Sequence, residues 1–256
     1  MKFNNRNVFI SNKATIGKNV KIGDNTTIYD NVEIGDNSII CNDCVIGEPL
    51  NSYYSDNNYE NPVTKIGENA LIRSHAIIYA SNIIGNNFIT GHFINIRGNN
   101  VIGNNCSIGN YTELFGDSKL GNYVRLHSKV IICEHSVIGN FVWVYLGAIF
   151  TNDINPPSNI LKGPKVEEYA IISSKVILMP GIIIGNNSLI GAASVVTKNV
   201  NPFSLMIGSP AKFVMDCREI ISKSSNIKHY PWMYHFERGM PWEGIGFETW
   251  AIGNVQ

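Results

Sequence analysis

The sequence predicts an all-β protein, a parallel β-helix of hexapeptide repeats, and two observations carry that prediction. Counting in steps of six from Ile66 to Phe150, every position except Thr90 and Phe150 is Ile, Leu or Val. Glycine recurs every eighteen residues, at positions 67, 85, 103, 121 and 139. A six-residue period fits neither an α-helix nor long alternating strands, but it is typical of short strands joined by tight turns. Three such strands make one coil.

The repeat runs over most of the chain and predicts a β-helix over residues 1–210. The same step connects Ile16 to Ile46 and Val166 to Val196. Small or polar residues often stand two positions before the large apolar ones and would fill the narrow interior of the coil. The eighteen-residue glycines, usually followed by Asn, suit turns that need a positive φ.

Two segments break the period and predict loops at 48–65 and 151–165. Both are polar and contain Pro and Asn. After residue 210 the repeat stops, and the spacing of Phe213, Val214, Cys217, Ile220 and Ile221 favours a short amphipathic helix. An extended aromatic tail then completes a second segment, 211–256, which would either clamp the coils or cover a substrate.

Composition and charge narrow the functional classes. Twenty basic and twenty acidic residues give no net charge, so we expect no nucleic-acid partner. No apolar run is long enough for a membrane span, and the opening MKFNNRNVFISNK lacks the apolar stretch of a signal peptide. Five cysteines are too few for a disulfide framework. We therefore expect a cytoplasmic protein.

The eighteen-residue count places several polar residues together. His92 and His127 belong to one face, two coils apart, or roughly 10 Å at the spacing of parallel strands. Glu134 and Asn152 are eighteen residues apart and should stack on adjacent coils at roughly 5 Å. His127 precedes Glu134 by seven residues, so we expect His127, Glu134 and Asn152 to converge near one edge. His75, seventeen residues before His92, is a further candidate on that face.

Several segments resemble a known family, the hexapeptide-repeat left-handed β-helix acyltransferases. They are IGEP, IRSHAIIYAS, NFITGHFINIR, NYVRLHSKVII, VWVYLGAIFTND, IGAASVVTKNV and IGSPAK. Within the family the chain resembles N-acyltransferases that acylate an amino sugar on a dTDP carrier. The resemblance implies left-handed winding, a homotrimer with sites in the subunit clefts, and acetyl-CoA or a related thioester as co-substrate, with no metal.

The resemblance also implies roles for individual residues. His127, Glu134 and Asn152 would line the sugar and thioester pocket as the catalytic set, with His92 beside them. Two acceptors for the proton of the amine remain possible: His127 and the departing CoA thiolate. CoA would lie along the late coils, and Tyr53 and Tyr54 would stack on the thymine ring. The residues expected to contact CoA are Gly147, Ala148, Gly191, Ala192, Ala193 and Lys198. Gly98 stands where relatives often carry an acidic residue.

Three alternatives remain at this point. The acceptor could be a UDP-linked amino sugar or a hydroxyl group. A zinc enzyme of the three-histidine type would need a third histidine to meet His92 and His127. A β-helix scaffold without enzymatic activity would lack a convergent set of polar side chains.

Overall fold

Short parallel strands wind into three flat sheets, which we call faces 1, 2 and 3. A computed structural model describes residues 3–222 and 226–254. The faces contain ten, nine and eleven strands, and strands three positions apart in the chain pair throughout, except at the end of face 3, where the order is β27-β29-β30. Strands are numbered here in chain order.

The strands of face 1 are β1 (Phe9–Ile10), β4 (Thr27–Ile28), β7 (Val45–Glu48), β10 (Ile77–Tyr79), β13 (Asn95–Ile96), β16 (Glu113–Leu114), β19 (Ile131–Ile132), β22 (Ile149–Phe150), β25 (Ile177–Leu178) and β28 (Val195–Val196). Face 2 contains β2 (Thr15–Ile16), β5 (Val32–Ile34), β8 (Thr64–Ile66), β11 (Ile83–Ile84), β14 (Val101–Ile102), β17 (Lys119–Leu120), β20 (Val137–Ile138), β23 (Lys165–Val166) and β26 (Ile183–Ile184). Face 3 contains β3 (Lys21–Ile22), β6 (Ile39–Ile40), β9 (Leu71–Ile72), β12 (Ile89–Thr90), β15 (Ser107–Ile108), β18 (Arg125–Leu126), β21 (Trp143–Val144), β24 (Ile171–Ile172), β27 (Leu189–Ile190), β29 (Ser204–Gly208) and β30 (Ala211–Asp216).

The predicted β-helix is confirmed, with about eleven turns, and it is consistent with left-handed winding. As far as β29, consecutive strands lie on different faces, and turns or loops at the three edges connect them. We name the edges by the faces they join: edge 1–2 follows the strands of face 1, edge 2–3 those of face 2, and edge 3–1 those of face 3. Away from the loops, strands of one face pair eighteen residues apart, as in Ile77↔Asn95.

The core fills the inside of the coils. The second residue of most strands points inward, and side chains such as Ile132 and Val144 are fully buried. The positions two residues before these are also inside, where Ala76, Cys106 and Ser118 have no exposed surface. Large and small side chains therefore alternate around the interior, because a triangular coil leaves room for one bulky group per face.

The repeated glycines serve a different purpose from the predicted one. Gly103 has an ordinary φ, whereas Asn105, two residues later, has φ 59°. A Cβ on Gly103 would lie 2.6 Å from the carbonyl oxygen of Gly121 in the next coil. Glycine is therefore needed because the backbones of stacked coils nearly touch, and the left-handed position is left to Asn and even to Tyr123 and Phe141.

The helix predicted over Phe213–Ile221 is wrong. Residues Ala211–Asp216 form β30, which pairs antiparallel with β29, and Cys217–Glu219 is a 3₁₀ turn. The last coil leaves a strand with unpaired backbone groups, and pairing with that strand outweighs helical spacing in so short a segment. The predicted division at 210 falls in the turn of this hairpin. A short C-terminal helix, α1, spans Phe247–Asn254.

The remaining segments lie outside the coils. The first loop, between β7 and β8, contains a 3₁₀ turn at Asn51–Tyr54, and the second connects β22 to β23. The C-terminal tail has a 3₁₀ turn at Trp232–Tyr234. It packs on the late coils through a cluster that includes Phe141, Trp232 and Trp242. Among the described residues, no helix is long and apolar enough to cross a membrane.

Candidate functional site

Glu134 and Asn152 form the contact that the sequence predicts. They follow β19 and β22, which pair in register as Ile131↔Ile149. The Asn152 Nδ2 group donates a hydrogen bond of 2.7 Å to Glu134 Oε2. The Asn152 carbonyl also accepts from the backbone N–H of Lys162 at 2.7 Å. The pair is therefore held at edge 1–2, where the second loop leaves and returns; its catalytic role stays a prediction.

The first loop lies at the same edge, several coils earlier. Tyr53 and Tyr54 pack edge to face, 5.2 Å between ring centroids, and both are exposed. They border a cavity of about 270 Å³, and their contact with a nucleotide base stays a prediction. A Cβ on Gly98 would lie 2.6 Å from Leu50 Cδ2. Gly98 thus makes room for the loop, which closes over that position.

His127 lies in a half-buried setting at edge 3–1. It follows β18 and stacks on Tyr145, with 4.4 Å between ring centroids, and Trp143 lies 6.2 Å away. Removal from water lowers the pKa of the His127 imidazole, so the ring is neutral at pH 7 and has a lone pair to accept a proton. It borders a shallow depression of about 310 Å³ on face 3.

The predicted convergence of His127 with Glu134 and Asn152 is wrong within one chain. Each step of six residues moves the chain by one face, and β19 of face 1 lies between His127 and Glu134. His127 is therefore at edge 3–1 and the Glu134–Asn152 pair at edge 1–2, with the width of face 1 between them.

His75 and His92 lie at edge 3–1 in earlier coils than His127. The His92 backbone N–H donates to Asn110 Oδ1 at 2.7 Å, and its side chain is exposed. His75 stacks on Phe93 with 4.5 Å between ring centroids, and Phe93 stacks in turn on Tyr111 at 5.0 Å. The three candidate histidines thus share one edge, and their binding of substrate stays a prediction.

Several residues predicted to bind CoA also meet at edge 3–1. Gly147 and Ala193 occupy the same turn position in coils separated by one, with φ of 71° and 58°. Lys175 fills that position in the coil between them, and its side chain is exposed. The sequence prediction missed Lys175, although it precedes Ala193 by eighteen residues, the period that marks a stacked position. Gly191 and Ala192 lie in the same turn, where a Cβ on Gly191 would lie 2.8 Å from Ile207 Cγ1.

Two of the predicted CoA contacts do not fit this arrangement. Ala148 is fully buried inside the coil. Its N–H donates to the Tyr145 carbonyl, and its own carbonyl accepts from the Ile131 N–H, so no group is left for a ligand. Its position two residues before a large inward side chain explains this burial. Lys198 follows β28 and therefore lies at edge 1–2, separated from Gly191–Ala193 of the same chain by face 1; its contact with CoA stays a prediction.

The tail supplies residues that the sequence prediction left without a role. Phe236 and Trp232 contact the Trp143 ring edge to face, at 5.4 and 5.9 Å. The Trp232 indole N–H donates to the Tyr169 carbonyl at 2.9 Å. The tail therefore packs beside the histidine edge on face 3. Only the aromatic composition of the tail could have signalled this, because it carries no repeat that fixes its place.

In the described part of the chain, no three His, Cys, Asp or Glu side chains are grouped to hold a metal ion.

Comparisons with known proteins agree with the repeat. A model of the bacterial transferase hexapeptide (six repeats) matches residues 13–48. No match is found among curated proteins. A UDP-N-acetylglucosamine acyltransferase from Campylobacter jejuni is 21% identical and has a TM-score of 0.44, over 85% of this chain and 70% of its own.

Two further structures are similar at the same level. The Arabidopsis UDP-N-acetylglucosamine acyltransferase is 16% identical with a TM-score of 0.46, over 81% of this chain and 72% of its own. A hexapeptide transferase family protein from Anaplasma phagocytophilum is 20% identical with a TM-score of 0.42, over 58% of this chain and 81% of its own.

Proposed function

We propose that the protein is an acyltransferase that moves an acyl group from a CoA thioester to the amino group of a dTDP-linked amino-deoxy sugar. The observation that carries the proposal is the neutral, half-buried His127, which shares edge 3–1 with the turns of Gly147, Lys175 and Ala193. An imidazole that is neutral at pH 7 suits proton removal from an amine. Exposed turn backbone and a lysine suit the pantetheine chain and the phosphates of CoA.

The reaction balances with the groups of this chain. The amine nitrogen attacks the thioester carbonyl, so a C–N bond forms and the C–S bond breaks. His127 accepts the proton released by the amine and returns it to the departing CoA thiolate. If the thiolate takes the proton directly, His127 orients the amine instead. In both cases, Glu134 and Asn152 hold the sugar through the side-chain oxygen atoms that their own hydrogen bond does not use, Glu134 Oε1 and Asn152 Oδ1.

A homotrimer would bring the two edges together. With face 1 turned toward a threefold axis, edge 1–2 of one subunit meets edge 3–1 of the next. The late coils of face 1 present a column of partly buried apolar side chains: Ile131, Ile149, Ile177 and Val195. Face 2 instead interposes exposed lysines, and the tail occupies the late coils of face 3. Face 1 is thus the face best suited to a subunit interface.

Thiol release tests the proposed function. The protein is mixed with acetyl-CoA and a panel of dTDP-amino sugars, UDP-amino sugars and hydroxyl-only analogues, and free CoA is followed with a chromogenic disulfide. We expect release that depends on a dTDP-amino sugar, with the N-acylated product seen by mass spectrometry. Release that is faster with a UDP-sugar or with a hydroxyl acceptor contradicts the assigned acceptor, and no release with any acceptor contradicts an acyltransferase.

A further inference from the structure

A small cavity lies between face 3 and the tail, and it has no role in the reaction proposed above. We call it the tail pocket. It has a volume of about 150 Å³. Its walls are almost entirely aromatic or aliphatic: Trp143, Tyr145, Ile171, His229, Tyr230, Trp232 and Phe236. Apolar cavities of about this size accept a six-carbon molecule such as benzene.

The tail pocket is next to His127. Trp143 borders both this pocket and the depression that contains the histidine. Tyr145, another wall residue, is the ring on which His127 stacks at 4.4 Å. A group attached to a carbon held at His127 therefore needs to extend past one aromatic ring to enter the pocket.

One wall residue has an unused hydrogen-bond donor. The Trp143 indole N–H is buried and meets no acceptor in the described ranges. The indole N–H groups of Trp232 and Trp242 donate to the carbonyls of Tyr169 and Phe236, both at 2.9 Å. A buried donor without a partner is unfavourable, so a small side-chain movement that admits an oxygen atom to the Trp143 nitrogen would be stabilising.

We propose that the tail pocket receives the acyl chain of the donor, so that the enzyme prefers a chain of about four to six carbons over acetyl. This inference rests on the proposed acyltransferase function. The amine forms a C–N bond at the acyl carbonyl carbon, the C–S bond breaks, and CoA leaves as the thiol. The chain beyond that carbon fills the pocket, where each buried methylene raises affinity about fourfold.

A series of donors tests the inference. We measure kcat/KM by thiol release with acetyl-, propionyl-, butyryl-, hexanoyl- and octanoyl-CoA and one amino-sugar acceptor. We expect butyryl- or hexanoyl-CoA to exceed acetyl-CoA by about tenfold or more, and octanoyl-CoA to fall again. A profile that is highest at acetyl and falls steadily overturns the pocket assignment while the acyltransferase stands. No release with any donor overturns both.

Pocket variants locate the effect. Phe236→Ala enlarges the pocket and should move the preference toward octanoyl-CoA, whereas Ile171→Phe fills it and should lower hexanoyl transfer most. Tyr234→Ala removes an exposed aromatic ring of the tail outside the pocket and should leave the order of donors unchanged. Unchanged order in both pocket variants overturns the assignment.

A binding measurement tests the pocket directly and does not depend on variants that could detach the tail. Hexanoyl-CoA should change the tryptophan fluorescence of the wild-type protein more than CoA alone does, because Trp143 and Trp232 line the pocket. If the Phe236→Ala substitution detaches the tail from face 3, the donor series is measured with the milder Phe236→Leu variant. Near-UV circular dichroism checks that the tail of this variant stays packed. Equal fluorescence changes with CoA and hexanoyl-CoA contradict the proposal.

Discussion

The two edges that flank face 1 are built by the same repeat, yet they prepare their side chains in opposite ways. At edge 1–2, the Asn152 side chain donates to Glu134, and the Asn152 carbonyl accepts from the backbone N–H of Lys162 in the loop. At edge 3–1, His127 lies against aromatic rings, and burial lowers its pKa. One edge fixes geometry and the other adjusts protonation. The coils set the spacing at both edges, whereas the loop and the tail set the surroundings of these side chains, and the proposed reaction uses groups from both edges.

The largest effect is expected from separating the edges of neighbouring subunits. Ile149→Lys places a charge on face 1 and should convert a trimer into monomers with activity below detection, since burying an unpaired charge is costly. Val101→Lys on face 2 is the matched control and should keep both mass and activity. Light scattering after size exclusion measures the mass. An active Ile149→Lys monomer would show that one chain contains the whole site.

A mixing experiment asks whether the site is shared. His127→Ala and Glu134→Ala should each lower kcat/KM by at least tenfold. Unfolding and refolding the two variants together should restore about a quarter of the sites, because a site with one intact edge from each variant is then possible. Mixing Glu134→Ala with Asn152→Ala is the control, since both changes damage the same edge. Equal recovery in both mixtures would contradict a site built from two edges.

A double-mutant cycle examines the pair at edge 1–2. Glu134→Ala and Asn152→Ala should each lower kcat/KM by roughly ten- to a thousandfold, which is the scale for a placed polar group. Because the two side chains share a hydrogen bond of 2.7 Å, the double variant should lose little more than the worse single variant. Additive losses would mean that the two residues act separately, and near wild-type activity in both would remove them from the site.

Lys175 provides a test at edge 3–1. If its ammonium group contacts the phosphates of CoA, Lys175→Ala should raise the KM for acyl-CoA about three- to tenfold and leave kcat nearly unchanged. Lys119→Ala, an exposed lysine on face 2, should change neither value. The difference should shrink at high salt because exposed charges are screened. An unchanged KM would exclude Lys175 from the CoA site.

The sequence predicts every feature that follows from the six-residue repeat. The six-residue step gave the strands, their pairing and the contact of Glu134 with Asn152, because a rigid coil converts an interval of eighteen residues into one stacked position. The same rule, applied strictly, would have separated His127 from Glu134, since an interval of seven passes a whole face. It would also have moved Lys198 to edge 1–2.

What lies outside the repeat was not predictable by counting. The pairing of Ala211–Asp216 with β29 depends on an open strand at the end of the stack. The packing of Trp232 against Trp143 depends on a tertiary contact between residues 89 positions apart. Ala148 shows the converse error. The family resemblance predicted that Ala148 contacts CoA, whereas its place in the repeat predicted that it lies inside the coil. The structure shows it fully buried.

The smallest effect, a shift in pH dependence, separates the two proposed roles of His127. Its unperturbed pKa is about 6.5, and burial lowers the folded value. If neutral His127 takes the proton, kcat/KM should fall more steeply below pH 6.5, where protonation of the imidazole adds to protonation of the acceptor amine. His127→Gln should remove that limb, leaving the dependence set by the amine of the acceptor. If the CoA thiolate collects the proton instead and His127 orients the acceptor through a ring N–H, which both protonation states of the imidazole have, the wild type and His127→Gln should share one profile and differ only in height.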